Sequence, residues 1–98
     1  MEKPYSHTVW RVKDGMQDEF VARWSEWVEW SRRNGFAASA MLLRDSDDPT
    51  RFVSFGPWET VDAVRSWRSL SGYHERVGRL QELVEGFDPR TLVVVAER

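Results

Sequence analysis

The chain has 98 residues, which suits a single domain over residues 1–98 with one small core. Lys and Arg number 14 against 16 Asp and Glu, a formal charge of −2, so no basic excess marks a nucleic-acid footprint. Cysteine is absent, which excludes disulfides, thiolate chemistry and Cys-ligated zinc or iron–sulfur sites.

His7 to Lys13 (HTVWRVK) predicts a first strand, because β-branched and aromatic residues alternate there. Asp14-Gly15 ends it with turn chemistry. Met16 to Asn34 predicts a helix: Met16, Phe20, Trp24, Trp27 and Ser31 recur at steps of four or three and share one stripe. Asp18 and Glu19 in its first turn and Arg32 and Arg33 in its last suit the helix dipole, and Gly35 is a C-terminal stop. Ala37 to Arg44 predicts a second strand and Arg51 to Trp58 a third. The polar turn Asp45–Thr50 joins them as a hairpin, and Gly56-Pro57 marks a bulge or an edge. Thr60 caps a short helix carrying Ala63, Val64 and Trp67. Leu70-Ser71-Gly72 interrupts it, and a further helix runs from about Tyr73 to Val84, closed by Gly86. Asp88-Pro89 then turns the chain into a last strand, Thr91 to Glu97.

The order β-α-β-β-α-α-β predicts an α+β, ferredoxin-like fold with a four-stranded antiparallel sheet backed by helices. The runs Leu92–Ala96 and Ala40–Leu43 are apolar without alternation, as strands buried on both faces are. One helix layer covers one face only, so the pattern predicts a homodimer through the other. No stretch reaches the ~18 apolar residues of a membrane span. The opening MEKPYSHTVW has no basic stretch followed by an apolar one, so the expectation is a cytoplasmic protein with no membrane partner.

Chemistry-bearing motifs are few. No phosphate loop, dinucleotide fingerprint, nucleophile elbow or HExxH is present. His7 and His74 stand apart in sequence, and their spacing demands no metal site. Tryptophan is the unusual feature, at six residues beside five Phe and two Tyr. Each buried indole N–H wants an acceptor, so this is a costly filling for a small core. Trp24, Trp27, Trp30, Trp67 and Tyr73 are expected to line one space between helices and sheet, an apolar concavity suited to a planar aromatic ligand. Tyr73 and His74 supply polar tips, Tyr73 for a phenol or quinone oxygen and His74 for a proton. Arg65, Arg68, Arg76 and Arg79 make the late helices basic, mostly as a wet face, with one available to an anionic substrate.

The stretch Asp48 to Trp67, DPTRFVSFGPWETVDAVRSW, resembles the antibiotic biosynthesis monooxygenase family. The likeness lies in an Asp-Pro turn, an Arg-Phe opening the third strand, a Trp ending it and a second Trp nine residues on. It implies a dimeric ferredoxin-like α+β barrel. In the quinone-forming branch it further implies oxidation of a planar phenol by dioxygen with no cofactor and no metal. There a Trp and a Tyr six residues later contact the substrate, which Trp67 and Tyr73 match, while the Asn expected four residues before the Trp is Ala63 here. In the haem-degrading branch an axial His stands ten residues after the Trp, where this chain has Val77, and His7 stands near an expected Asn.

The sequence reading is therefore a cofactor-independent monooxygenase for a planar phenolic, polyketide-like or quinol compound. Trp67, Tyr73 and His74 are its catalytic residues, and His7, Trp24, Trp27 and Trp58 its substrate contacts. The alternatives are a dimer of the same fold that binds or scaffolds without turnover, and a haem-binding oxygenase.

Overall fold

Alternation and turn chemistry translate directly into the first half of the chain. The computed structural model describes residues 3–36 and 39–98. Strand β1 is Pro4–Val12, helix α1 Gln17–Arg33, strand β2 Met41–Asp45, strand β3 Asp48–Pro57, helix α2 Val61–Arg68, helix α3 Ser71–Gln81 and strand β4 Val84–Val93. The order matches the expected β-α-β-β-α-α-β. All pairings are antiparallel, in one open sheet of order β2-β3-β1-β4. Gly15 and Gly35 take positive φ of 89° and 81°, which releases the chain from β1 and stops α1. The Thr60 hydroxyl accepts the Ala63 N–H at 3.0 Å, the predicted cap of α2.

The predicted second strand began at Ala37, but Ala37 and Ala38 lie outside the described residues, and β2 begins at Met41. The last third of the chain corrects the expectation more sharply. Helix α3 ends at Gln81, and β4 starts at Val84, seven residues before the predicted Thr91. Gly86 and Asp88-Pro89 do not punctuate the chain there. They lie inside β4 because it is an edge strand, where Pro89 can turn its missing N–H away from the ladder. Gly86 faces Arg11, and a Cβ there would meet the Arg11 Cβ at 3.1 Å, so the smallest residue fits the close approach. Val94 to Arg98 leave the strand, and Val95 is 92% exposed. The apolar run at the C-terminus is therefore only partly a strand feature.

The sheet separates its two faces by residue parity. Thr8, Trp10 and Val12 of β1, with Phe52 and Ser54 of β3, are buried against the helices. On α1 the stripe is Phe20, Trp24, Trp27 and Ser31, as predicted, while Met16 falls outside the helix and is exposed. Trp10 is completely buried, meets the rings of Phe20, Trp27 and Phe87, and donates its indole N–H to the Ser54 hydroxyl at 2.9 Å. The opposite face carries Met41, Leu43 and Leu92, which are 57%, 48% and 46% exposed, together with Tyr5, His7 and Phe55.

Ser54→Ala leaves the Trp10 N–H buried without an acceptor and is expected to cost about 1–3 kcal/mol in urea unfolding, with the slope against urea unchanged. At the β2–β3 turn, the Thr50 hydroxyl and backbone N–H, and then Arg11, hold the Asp48 carboxyl at about 2, below its ordinary 3.8. A depressed carboxylate stabilises the fold above its unfolded pKa and loses that contribution as pH falls through the folded one. Asp48→Asn is accordingly expected to flatten the fall in urea midpoint between pH values of about 4 and 2.

Candidate functional site

Between α1 and the helix-facing side of the sheet lies a cavity of about 30 Å³. Its walls are Trp24, Trp27, Trp58, Trp67 and Tyr73, with Ser6, Thr8, Ser31, Ser54 and Arg68 as the polar groups. Each element contributes by its own period. Helix α1 places Trp24, Trp27 and Ser31 on one side at steps of three and four, and β1 offers Ser6 and Thr8 at a step of two. Trp58 follows the end of β3, Trp67 and Arg68 close α2, and Tyr73 sits in the first turn of α3.

Trp67 is at the centre of these rings. It stacks on Trp27, with centroids 5.1 Å apart and planes 22° from parallel. Trp58 lies 4.9 Å away on a tilt, and Tyr73 meets it edge-on at 4.7 Å. The Trp67 indole N–H donates to the buried Ser31 hydroxyl at 2.9 Å, and that hydroxyl donates in turn to the Trp27 carbonyl at 3.0 Å. The Trp58 indole N–H donates to the Ser6 hydroxyl at 3.0 Å. Trp24 and Trp27 keep buried indole N–H groups with no hydrogen-bond partner among the described residues. Burial pushes the Tyr73 hydroxyl pKa up, and the neighbouring Arg68 cation works against that rise. Tyr73 thus stays protonated at neutral pH and can donate a hydrogen bond.

The structure brings Trp24, Trp27, Trp58, Trp67 and Tyr73 together and keeps both histidines away. His7 has odd parity on β1, so it faces the open side of the sheet, beside Tyr5, Phe55 and Leu92. His74 is exposed, one residue past the inward stripe of Tyr73, Val77 and Leu80. Its ring meets Tyr73 edge-on at 5.6 Å from outside the cavity. Trp30, also expected on the wall, instead lies under the Arg76 guanidinium at 4.4 Å and against Gly72. Ala63 faces a second, outer pocket of about 380 Å³, which it lines with Phe36, Pro57 and Trp58. Trp58 is thus the wall shared by the outer pocket and the inner cavity. Among the described residues, no group of three or more His, Asp or Glu is placed to hold a metal ion, and Val77 is buried in the core.

Sequence reasoning missed the serines. Ser6, Ser31 and Ser54 each accept one indole N–H, and the only prior signal was a polar residue at the end of an otherwise apolar helix stripe.

The family model for antibiotic biosynthesis monooxygenase matches residues 5–79. No curated protein sequence matches the chain. Among solved structures, the fold is similar to that of SnoaB, a cofactor-independent oxygenase from Streptomyces nogalater, in its N63A mutant. That match has 19% identity and a TM-score of 0.83, covering 98% of this chain and 95% of that one. A candidate antibiotic biosynthesis monooxygenase from Bordetella bronchiseptica aligns over 100% of both chains at 18% identity and a TM-score of 0.83. A conserved protein from Methanosarcina mazei aligns at 12% identity and a TM-score of 0.79, covering 96% of this chain and 92% of that one.

Ser31→Ala removes the acceptor that fixes the Trp67 ring. It is expected to lower stability by about 1–3 kcal/mol and to shift the tryptophan emission maximum, both read in one fluorescence-monitored urea titration.

Proposed function

The chain belongs to the antibiotic biosynthesis monooxygenase family, and from that premise we propose that it oxygenates a planar phenolic, polyketide-like or quinol molecule with dioxygen and no cofactor. The observation that carries the reading is the stack around Trp67. Four indoles and a phenol enclose one space, with a protonated Tyr73 hydroxyl and a guanidinium among its few polar groups. That combination matches the chemistry of a flat aromatic body bearing an ionisable oxygen, which a cavity of about 30 Å³ holds only once a wall moves. The SnoaB likeness supports the fold on which such chemistry runs.

In this reading the substrate ionises, and its carbanion tautomer delivers electrons to dioxygen. A ring methylene becomes a carbonyl, one oxygen atom stays on carbon and the other leaves as water, so every electron comes from the substrate. Trp67 stacks on the ring, Trp24, Trp27 and Trp58 wall it in, and Tyr73 donates a hydrogen bond to its oxygen. Catalysis is orientation and stabilisation of an anion in a site closed to water. The inner cavity is far below the ~300 Å³ of a drug-sized site, while the outer pocket exceeds it. Substrate therefore enters from the outer pocket by displacing Trp58, the shared wall. His74 lies on the solvent side of Tyr73, outside the cavity. His7 lies at the face we assign to a cytoplasmic homodimer, since Met41, Leu43, Phe55 and Leu92 form an apolar surface there.

A second reading, a dimer that binds or scaffolds without turnover, is favoured by one feature. Among the described residues, the cavity walls include no imidazole and no carboxylate, and Ala63 stands where the resemblance expects an Asn. The haem reading has less support, since the buried Val77 occupies the expected axial position.

Oxygen uptake with a panel of anthrones and naphthols tests the first reading. Wild type is expected to exceed the buffer rate, and Tyr73→Phe to lose about a hundredfold or more. Trp67→Phe is expected to weaken turnover as well. Uptake at the buffer rate for all three proteins refutes turnover of these substrates, and saturable fluorescence quenching without product then selects the binding reading. For the dimer, light scattering is expected to give twice the 11.5 kDa chain mass and to fall to one chain mass in Leu43→Lys.

A further inference from the structure

A cavity of about 30 Å³ must gain room before it holds an aromatic ring, and that room is a separate demand from the way in. The walls are not equally free to give it. The Trp67 N–H donates to Ser31 and the Trp58 N–H to Ser6. The Trp27 N–H has no partner among the described residues, but its ring packs on those of Trp10, Trp67 and Tyr73. Tyr73 is held by Trp27 and Trp67 in turn. Trp24 has neither kind of restraint. Among the described residues, its buried N–H finds no acceptor and no aromatic ring pairs with it.

Beside Trp24 there is space to receive its ring. A groove of about 370 Å³ runs between α1 and strands β2 and β3, and Trp24 lines both the groove and the cavity. Small-molecule pockets begin at ~300 Å³, so an indole fits in the groove. Val21, Leu42 and Phe52 give it apolar sides, and Asp18 and Ser25 bring oxygens that can accept an indole N–H. A tryptophan on a helix has two favoured χ1 settings, so its ring can change place with the backbone left as it is.

We infer that Trp24 is the wall that yields: its indole swings from the cavity into the α1–β2 groove, and the ligand takes the space it leaves. The inference rests on the aromatic-ligand reading above and adds which residue sets the size of the site. Trp58 lets the ligand pass and keeps its bond to Ser6 in the complex. Trp24 makes the room and determines specificity by shape. The vacated space is that of an indole, so the site takes a flat system of at least two fused rings. In the closed state the Trp24 N–H is buried without a partner, and in the open state it meets the oxygens of the groove, so the two states are close in free energy.

The test reads the six indoles separately. The protein is grown with 5-fluorotryptophan, each fluorine resonance is assigned from the corresponding Trp→Phe variant, and 2-naphthol is added under nitrogen so that no turnover removes it. Exposure of each ring is read from the shift of its resonance between H2O and D2O. At saturation the Trp24 resonance is expected to gain the solvent shift of an exposed ring, while those of Trp27, Trp58 and Trp67 move but stay shielded. Val21, which is 42% exposed, lines the groove and not the cavity, so Val21→Phe fills the receiving space alone. It is expected to weaken 2-naphthol binding about tenfold or more, because apparent affinity falls with the population of the open state. Saturable shifts at Trp27 and Trp67 with Trp24 still shielded overturn the inference and leave the aromatic-ligand reading standing. Exposure of Trp58 in the complex in place of Trp24, or undiminished binding by a folded Val21→Phe protein, does the same. Should Val21→Phe fail to fold, the exposure of Trp24 in wild type decides the matter. Absence of a saturable shift at any of the six overturns the inference together with the aromatic-ligand reading.

Discussion

A buried indole must be both packed and hydrogen-bonded, and Trp67 meets both demands in one place. Its N–H is held by Ser31 of α1 and its face by Trp27 of the same helix, with Trp58 after β3 tilted against it and Tyr73 of α3 edge-on. Three segments of the chain therefore converge on this one side chain of α2. The Ser31 hydroxyl is itself fixed by the Trp27 carbonyl, so the acceptor cannot swing away when the ring moves. A phenylalanine would fill most of the same volume but would lose the link to α1. The position of the cavity follows from this: it lies where the rings gathered by Trp67 fail to close completely.

The same demand explains how so small a chain tolerates so many tryptophans. Ser6, Ser31 and Ser54 answer three indole donors with the smallest hydroxyl side chain, adding polarity with little volume. The two buried indole donors with no partner among the described residues, on Trp24 and Trp27, both belong to residues of the cavity wall. An unpaired buried donor costs roughly 1–3 kcal/mol, so stability alone gives no reason to keep a pair of them there. The ligand proposed above would give one, because a bound oxygen atom relieves such a cost only when the ligand is present. Local frustration of this kind is expected where a protein works and is out of place where it only folds.

Most of the fold was legible in the sequence because its signals were local. Alternation marked β1, the polar turn Asp45–Thr50 marked the β2–β3 hairpin, the three-four stripe marked α1, and Thr60 marked the start of α2. The stretch after α3 was not legible, for a physical reason. Gly86 and Asp88-Pro89 carry turn chemistry in any local reading, and only the edge position of β4 makes them acceptable within a strand. That position is a property of the sheet and not of the segment. The site divided in the same way. The clustering of Trp24, Trp27, Trp67 and Tyr73 was readable from helix periods, whereas the exclusion of His7 and His74 turned on parity and on one helical step. The likeness carried by Asp48 to Trp67 identified the family without saying where either histidine points.

Strand β1 ties the aromatic cavity and the open face of the sheet together. It is an inner strand of the sheet, between β3 and β4. Its even residues, Ser6, Thr8 and Trp10, supply one indole acceptor, one cavity wall and the deepest aromatic of the core. Its odd residues, Tyr5, His7 and Val9, face the opposite, open side. A slip of one residue against β3 would exchange the two sets, so the register that orders the cavity also orders the open face. Any partner covering that face holds β1 in its register and thereby holds Ser6 and Thr8 in the cavity. The apolar open face and the aromatic site are thus two readings of one alternating strand, and neither can be altered at β1 without the other sensing it.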